Sequence, residues 1–229
     1  MTTRQIFSGH TKDVLAVSFS PDNRMIFSGG MDKTLRFWNI KGENRFVSTN
    51  FNGWVSSISH IKQGKESKDN LLAVGSWDSK VRIFDSELAY NRGIEALDYA
   101  VTSMDSDDDG EYLFVGQKNG SVKIWNMARD QNESDTLKQT FDANADLNAL
   151  SYESKFFTVL TLATSKGISV RDIKGQNEIY SRSYGIKDSK DKIKVFHGCL
   201  SLAWDATKTY LFAGFTDGVI RVYKFAYES

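Results

Sequence analysis

A short motif that returns five times limits what this chain can fold into more than any other feature. It reads Leu35-Arg36-Phe37-Trp38-Asn39, Val81-Arg82-Ile83-Phe84-Asp85, Val122-Lys123-Ile124-Trp125-Asn126, Ile168-Ser169-Val170-Arg171-Asp172 and Ile220-Arg221-Val222-Tyr223-Lys224. Its fourth position falls at 38, 84, 125, 171 and 223, giving spacings of 46, 41, 46 and 52 residues. Six residues earlier stands a turn former, Asp32, Asp78, Asn119 or Asp217; the fourth copy has Lys166 five residues earlier instead. A period in this range marks stacked supersecondary units, each too small to bury its own apolar face alone.

Within each unit the apolar residues alternate with period two, as strands with one buried face require. Met25 to Gly29, Leu71 to Gly75, Tyr112 to Gly116 and Tyr210 to Gly214 are nearly continuous apolar runs that close in glycine just before the turn residue. That is the pattern of a buried middle strand entering a tight hairpin. In the first copy Gly9-His10 precedes the first strand, and Ser20-Pro21-Asp22-Asn23 turns it into the second. No segment sustains a 3.6-residue period. The expected fold is all-β, one domain over 1–229 with five four-stranded units, the repeats running approximately 5–42, 43–86, 87–127, 133–174 and 176–225.

Composition narrows the function classes. With 29 Lys+Arg against 29 Asp+Glu the formal net charge is zero, so bulk charge drives no binding to nucleic acid or membrane. Hydrophobic residues make up 40% of the chain, enough for a sizeable core. Cys199 alone forms neither an internal disulfide nor a multi-cysteine metal site, which reads as an intracellular protein. Met1 to Phe7 lacks the apolar stretch of a signal peptide, and no run approaches a membrane span, so no membrane insertion is expected.

These units resemble WD repeats, the blades of β-propellers. The resemblance has a physical side: a His, a Ser, the turn Asp and a Trp indole can satisfy one another across a blade. Only the first copy carries the full set, His10, Ser28, Asp32 and Trp38; Asp78 and Asp217 keep the turn position, while Phe84, Arg171 and Tyr223 replace Trp.

A closer resemblance is to the receptor for activated C kinase family, the Gβ-like scaffold of the small ribosomal subunit. Gly9-His10-Thr11-Lys12-Asp13-Val14 to Ser20 with Asp32-Lys33-Thr34-Leu35-Arg36 looks like its third blade. Trp54-Val55-Ser56-Ser57 and Gly75-Ser76-Trp77-Asp78 are similar to the fourth, and Asp146 to Leu150 to the sixth. Ser201-Leu202-Ala203-Trp204 and Leu211 to Asp217 resemble the seventh. The match implies a non-enzymatic, cytoplasmic scaffold without cofactor, docking protein kinases and translation factors. It also implies ribosome association, although the family's basic ribosome-contact residues lie in a first blade that has no counterpart here. Lys155-Phe156-Phe157 stands where the family carries a tyrosine-containing stretch, so phosphotyrosine signalling there is not carried over. The rival readings are a ribosomal component that contacts ribosomal RNA and proteins, and a truncated fragment without function.

Five blades of a seven-blade design turn about 51° each and leave a wedge of roughly 100°. Such an open arc has unpaired edges that invite self-association. The alternative is a closed five-bladed ring, with Arg4-Gln5-Ile6-Phe7-Ser8 completing the fifth unit, which ends after its third strand.

Catalytic and metal sites are not expected. Asp105-Ser106-Asp107-Asp108-Asp109-Gly110 opens like a calcium loop, but Gly116 stands where the bidentate Glu belongs. His197 and Cys199 form an isolated H-x-C pair. Surface recognition is the expected chemistry. Met31, Trp77, Lys118 and Thr216, with Ser165 in the fourth copy, directly precede the turn, and the resemblance to WD propellers implies that they project from one rim. Trp54 and Trp77 are either packing residues between blades or an aromatic binding surface. Lys12, Lys33 and Arg36, with Lys80 and Arg82 in the second unit, form a basic cluster suited to acidic or phosphate groups, or simply a solvated edge. Ile186 to Val195 is a polar excursion that accounts for the spacing of 52 and, by the resemblance, contacts partners.

Overall fold

The computed structural model describes residues 5–62, 70–85, 87–95, 97–127, 135–153, 158–187 and 192–225, and every regular element among them is a strand. The first sheet holds β1 (Val14–Phe19), β2 (Met25–Gly30), β3 (Leu35–Asn39) and β4 (Asn44–Ser48) in that order. The second holds β5 (Val55–Lys62), β6 (Asn70–Ser76), β7 (Lys80–Phe84) and β8 (Tyr90–Ile94). The third holds β9 (Val101–Ser106), β10 (Tyr112–Gln117), β11 (Ser121–Asn126) and β12 (Thr136–Asp142), the fourth β13 (Leu147–Glu153), β14 (Val159–Thr164), β15 (Gly167–Asp172) and β16 (Asn177–Ser183). A two-stranded hairpin, β17 (Gly185–Lys187) and β18 (Ile193–Phe196), precedes the fifth sheet: β19 (Cys199–Trp204), β20 (Tyr210–Phe215) and β21 (Ile220–Lys224). The polar excursion at Ile186 to Val195 thus has paired arms, Ile186 opposite Val195, and its tip at 188–191 is outside the described residues, as are Lys155-Phe156-Phe157.

Local chemistry sets the hairpins. Three of the first-to-second strand turns share one geometry, in which the N–H groups of Asn23, Gly110 and Lys208 donate to the carbonyls of Ser20, Asp107 and Asp205. All three residues have positive φ, 57°, 69° and 61°. Gly110 is required for a second reason: a methyl group there would lie 1.6 Å from the Lys62 carbonyl oxygen.

The core lies between sheets and follows one rule. A methyl group on Gly29, near the end of β2, would sit 2.2 Å from Cγ1 of Val55, the first residue of the next sheet's inner strand. Gly75 stands in the same relation to Val101 at 2.5 Å, and Gly116 to Leu147 Cδ2 at 2.2 Å. In the fourth sheet Ala163 takes that place, and it shares a buried cluster with Cys199. The first three middle strands therefore carry a glycine one residue before their end because an aliphatic knob from the following sheet fills the space a side chain would need.

The sheets contact one another in chain order through β1 and β5, β5 and β9, β9 and β13, and β13 and β19. Among the described residues no comparable contact joins the fifth sheet to the first. The outward surface of the first sheet exposes Val17 (63%) and Phe19 (56%), and that of the fifth exposes Ile220 (70%) and Val222 (52%). The closed-ring alternative fails on the amino-terminal segment. Gln5 to His10 form no strand, and Phe7 stands edge-on to Trp38 with ring centroids 5.9 Å apart, which holds the segment on the first sheet instead of beside β21. Arg4 is outside the described residues.

Candidate functional site

One rim of the molecule collects the second-to-third strand turns of all five sheets. The N–H of Met31 donates to the Asp13 carbonyl, Trp77 to Trp54, Lys118 to Ala100, Ser165 to Asp146 and Thr216 to Gly198. These five bonds are equivalent, so the five residues occupy one repeated position. Trp77, Ser165 and Thr216 are exposed there, whereas Met31 and Lys118 are half-buried. Lys118 Nζ lies 3.2 Å from Asp146 Oδ2, linking the third turn to the loop that enters the fourth sheet.

The second turn is built to present two indoles. Asp78 anchors it by accepting from the Asn52 N–H at 3.0 Å, and Arg82 grips the same carboxylate at 2.9 and 3.2 Å. The Arg82 guanidinium lies 4.6 Å above the Phe51 ring, which locks the loop from below. Gly53 lets the chain pass against the backbone of Trp77 and Asp78; a methyl group would come 2.3 Å from the Asp78 nitrogen. Trp54 and Trp77 then stack with centroids 4.4 Å apart and planes tilted by 32°. Trp77 remains 40% exposed, and neither indole belongs to a core cluster. Burial works against the Asp78 charge, but the bonds from Arg82 and the Asn52 N–H outweigh it and hold the carboxyl below its usual range.

The first turn is held differently. His10 Nδ1 lies 2.9 Å from Asp32 Oδ2, and His10 Nε2 lies 2.7 Å from Ser28 Oγ. The Trp38 indole N–H donates to the same Ser28 oxygen at 2.8 Å. Asp32 also accepts from the Thr11 N–H at 3.1 Å and the Thr34 hydroxyl at 2.8 Å. Against the opposing effect of burial, these donors lower the Asp32 carboxyl. In the fifth sheet Asp217 is clamped by Arg221 at 2.6 and 3.2 Å, which lowers its carboxyl to about 2. Arg221 also lies 4.2 Å over Tyr184 and 4.4 Å over Phe215. Sequence reasoning passed over these arginine clamps. Their signal is legible nonetheless, an Arg four residues after the turn Asp at 78/82 and 217/221, although the same spacing at 32/36 gives no clamp because Arg36 turns to Thr34 instead.

The basic cluster does not assemble as expected. Lys12 and Lys33 are exposed, but Arg36 folds back, its Nε donating to Thr34 Oγ1 at 3.3 Å and its guanidinium lying over Gly9. Arg82 is engaged with Asp78, and Lys80 pairs with Glu95 at 2.8 Å. Arg36, Lys80 and Arg82 are thus drawn to the nearest carboxylate or hydroxyl, and Lys12 and Lys33 face solvent.

The acidic run beginning at Asp105 serves strand packing. Asp105 accepts from the Tyr152 N–H of the next sheet at 2.9 Å, and burial raises its carboxyl. Asp107 accepts from the Tyr112 N–H within its own turn. Cys199 is buried in the knob position, and burial pushes its thiol up to about 11. Among the described residues no group of three His, Cys, Asp or Glu side chains is placed to hold a metal ion.

The family model for the WD domain, G-beta repeat, matches residues 1–39, 45–85, 95–126 and 190–224, more than half of the sequence. The chain belongs to the WD-repeat family. It is 32% identical over 267 residues to the small ribosomal subunit protein RACK1 of Caenorhabditis elegans, an alignment covering 95% of this chain and 78% of that protein. The guanine nucleotide-binding protein subunit beta-like protein of Encephalitozoon cuniculi is 24% identical over 241 residues, covering 94% of this chain and 67% of its own length. The guanine nucleotide-binding protein subunit beta of Solanum tuberosum is 31% identical over 159 residues, covering 62% and 41%. The likeness is therefore to a Gβ/RACK1-like WD propeller in general, and the assignment to blades three to seven of one family is finer than these relatives support.

Proposed function

We propose that this WD-repeat chain is a non-enzymatic interaction scaffold that docks signalling proteins, protein kinases among them, on the rim carrying Met31, Trp77, Lys118 and Thr216. The observation that carries this reading is the Trp54–Trp77 stack, held rigid by Asp78, Arg82 and Phe51 yet left half-open to solvent. Preorganised aromatic surface costs little entropy to use and concentrates binding energy in a few side chains. Resemblance to the receptor for activated C kinase, including the correspondence to its blades three to seven, supplies the kinase and translation partners of this proposal and its cytoplasmic setting. Trp77→Ala is expected to abolish capture of purified protein kinase C while leaving thermal stability in place; joint loss of both would mark Trp77 as a packing residue and refute the proposal.

A second reading, contact with the small ribosomal subunit, is favoured by exposed Lys12 and Lys33 and by the RACK1 relative's ribosomal name. Co-sedimentation with small subunits at low salt, released at high salt, is its expected signature. Absence from the subunit fraction at low salt removes it.

A further inference from the structure

Four places in the sequence set an amide or carboxyl side chain directly before glycine: Asn52-Gly53, Asp109-Gly110, Asn119-Gly120 and Asp217-Gly218. Such pairs are chemically labile, because the glycine amide nitrogen, unshielded by a side chain, can close a five-membered ring onto the preceding Cγ. Ring closure needs a free amide N–H and a side chain at liberty to swing onto it. An Asp-Gly pair needs in addition a protonated carboxyl.

The fold protects three of the four. The Gly110 N–H donates to the Asp107 carbonyl at 3.2 Å, Gly120 to Gln117 at 3.0 Å and Gly218 to Phe215 at 3.1 Å. Asn119 is tied further, its side-chain oxygen accepting from the Ser121 N–H at 3.2 Å. Arg221 holds Asp217 as a carboxylate, the form that does not cyclise. Asn52 is the exception. It is exposed, and its own N–H donates to Asp78 at 3.0 Å. Among the described residues neither its side-chain amide nor the Gly53 N–H has a hydrogen-bond partner. The loop that carries it has no slack: a methyl group on Gly53 would lie 2.3 Å from the Asp78 nitrogen and 3.1 Å from Trp77 Cα.

We propose that Asn52 is a site of spontaneous deamidation, with water as its only co-reactant, and that isoaspartate formed there dismantles the Trp54–Trp77 surface. The Gly53 nitrogen gives its proton to solvent base and bonds to Asn52 Cγ. The Cγ–Nδ2 bond breaks, and Nδ2 takes a proton from water and leaves as ammonia. Water then opens the ring at one of its two carbonyls. The product is aspartate or, with the main chain rerouted through the side chain, isoaspartate. Both add a negative charge beside Asp78, but only isoaspartate lengthens the backbone by a methylene. The longer backbone cannot keep both the bond to Asp78 and the close passage of Gly53 against Trp77, the two contacts that bring Trp54 onto Trp77. The modification does not depend on the docking role of this rim; its effect on a partner rests on that reading.

The test is to incubate the full chain at mildly alkaline pH and map it by peptide mass spectrometry, scoring isoaspartate by enzymatic methyl transfer. Asn52 is expected to deamidate at least about tenfold faster than Asn119, whose amide neighbour must first break its hydrogen bond. In urea the two Asn-Gly pairs are expected to react at comparable rates. Near-ultraviolet circular dichroism from the stacked indoles is expected to fall in step with isoaspartate. Asn52→Asp, which adds the charge without the methylene, and incubated Asn52→Gln are both expected to keep that signal. Capture of protein kinase C is expected to be lost on incubation and spared in Asn52→Gln. The mapping and the dichroism need no partner, so failure of the docking reading and failure of this proposal are distinguishable. The proposal is overturned if Asn52 and Asn119 react at equal rates in the folded chain, or if the difference persists in urea. It is overturned equally if the isoaspartyl chain keeps its dichroism or if incubated Asn52→Gln loses it.

Discussion

The inner sheet interfaces and the two ends of the arc place apolar residues at the same repeat positions, but only at the inner interfaces does a neighbouring sheet cover them. Met104 and Leu150, on inner strands between sheets, are buried, and Val17 at their equivalent position is open. Leu35, Val81, Val122 and Ile168 are buried against the next sheet, whereas Ile220 is exposed. Val14 is thus a knob without a socket. Gly214 is a socket without a knob, since a methyl group there would meet only the Ser201 hydroxyl. The difference teaches that a repeat does not carry its own stability: the apolar pattern is a half-interface, and the free energy appears only when the adjoining half arrives.

Leu147→Ala tests this comparison with the largest expected effect. It empties a socket between the third and fourth sheets and should cost about 2–5 kcal/mol of unfolding free energy. Val14→Ala, truncation of the equivalent knob at the open end, should cost less than about 0.5 kcal/mol. Urea denaturation of both variants decides the matter, and equal losses would mean that the first sheet's outward face is covered in solution. The next contrast sets the two ways of holding a turn against each other. Ser28→Ala strands the Trp38 indole N–H and one nitrogen of His10 inside the first sheet, at about 1–3 kcal/mol. Ser76→Ala, whose hydroxyl accepts from the Asp78 N–H beside a carboxylate already held by Arg82, should fall below that. An inverted order would show that the first sheet's polar hub is dispensable.

Acid titration gives a smaller effect. The Asp32, Asp78 and Asp217 carboxyls are all lower in the folded chain than in an unfolded one. Their contribution is therefore complete above about pH 4 and is lost as pH falls, for Asp217 down to about 2. Denaturation midpoints measured between pH 6 and pH 2 should decline across that window, and Asp217→Asn should flatten part of the decline; an unchanged slope would deny the Arg221 clamp a role in stability. Smallest is Trp77→Ala, expected to move stability by no more than about 0.5 kcal/mol because the ring stacks above the core and not within it.

Much of the fold was legible before any coordinate. The motif spacing, the glycines closing each middle strand and the turn residues announced strands, hairpins and repeats, because these depend on periods of two and on local turn chemistry. The first hub was legible too, since His10, Ser28, Asp32 and Trp38 are a recognisable set. The loop under Trp54 was not: Phe51 and Gly53 matter through contacts with Arg82, Trp77 and Asp78, more than 20 residues further along the chain, and Arg36 and Arg82 looked like surface charge until their partners were seen. The paired arms around Ile186 and Val195 likewise had no signal in a run of lysines and aspartates.

The sequence by itself determined that this chain makes repeated four-strand units of the WD kind, because alternation and turn formers act over a few residues at a time. Whether the units close into a ring was left to tertiary structure. A sheet's outward face reads identically with or without a neighbour, and the choice rested on where Phe7 packs and on what lies beside β21.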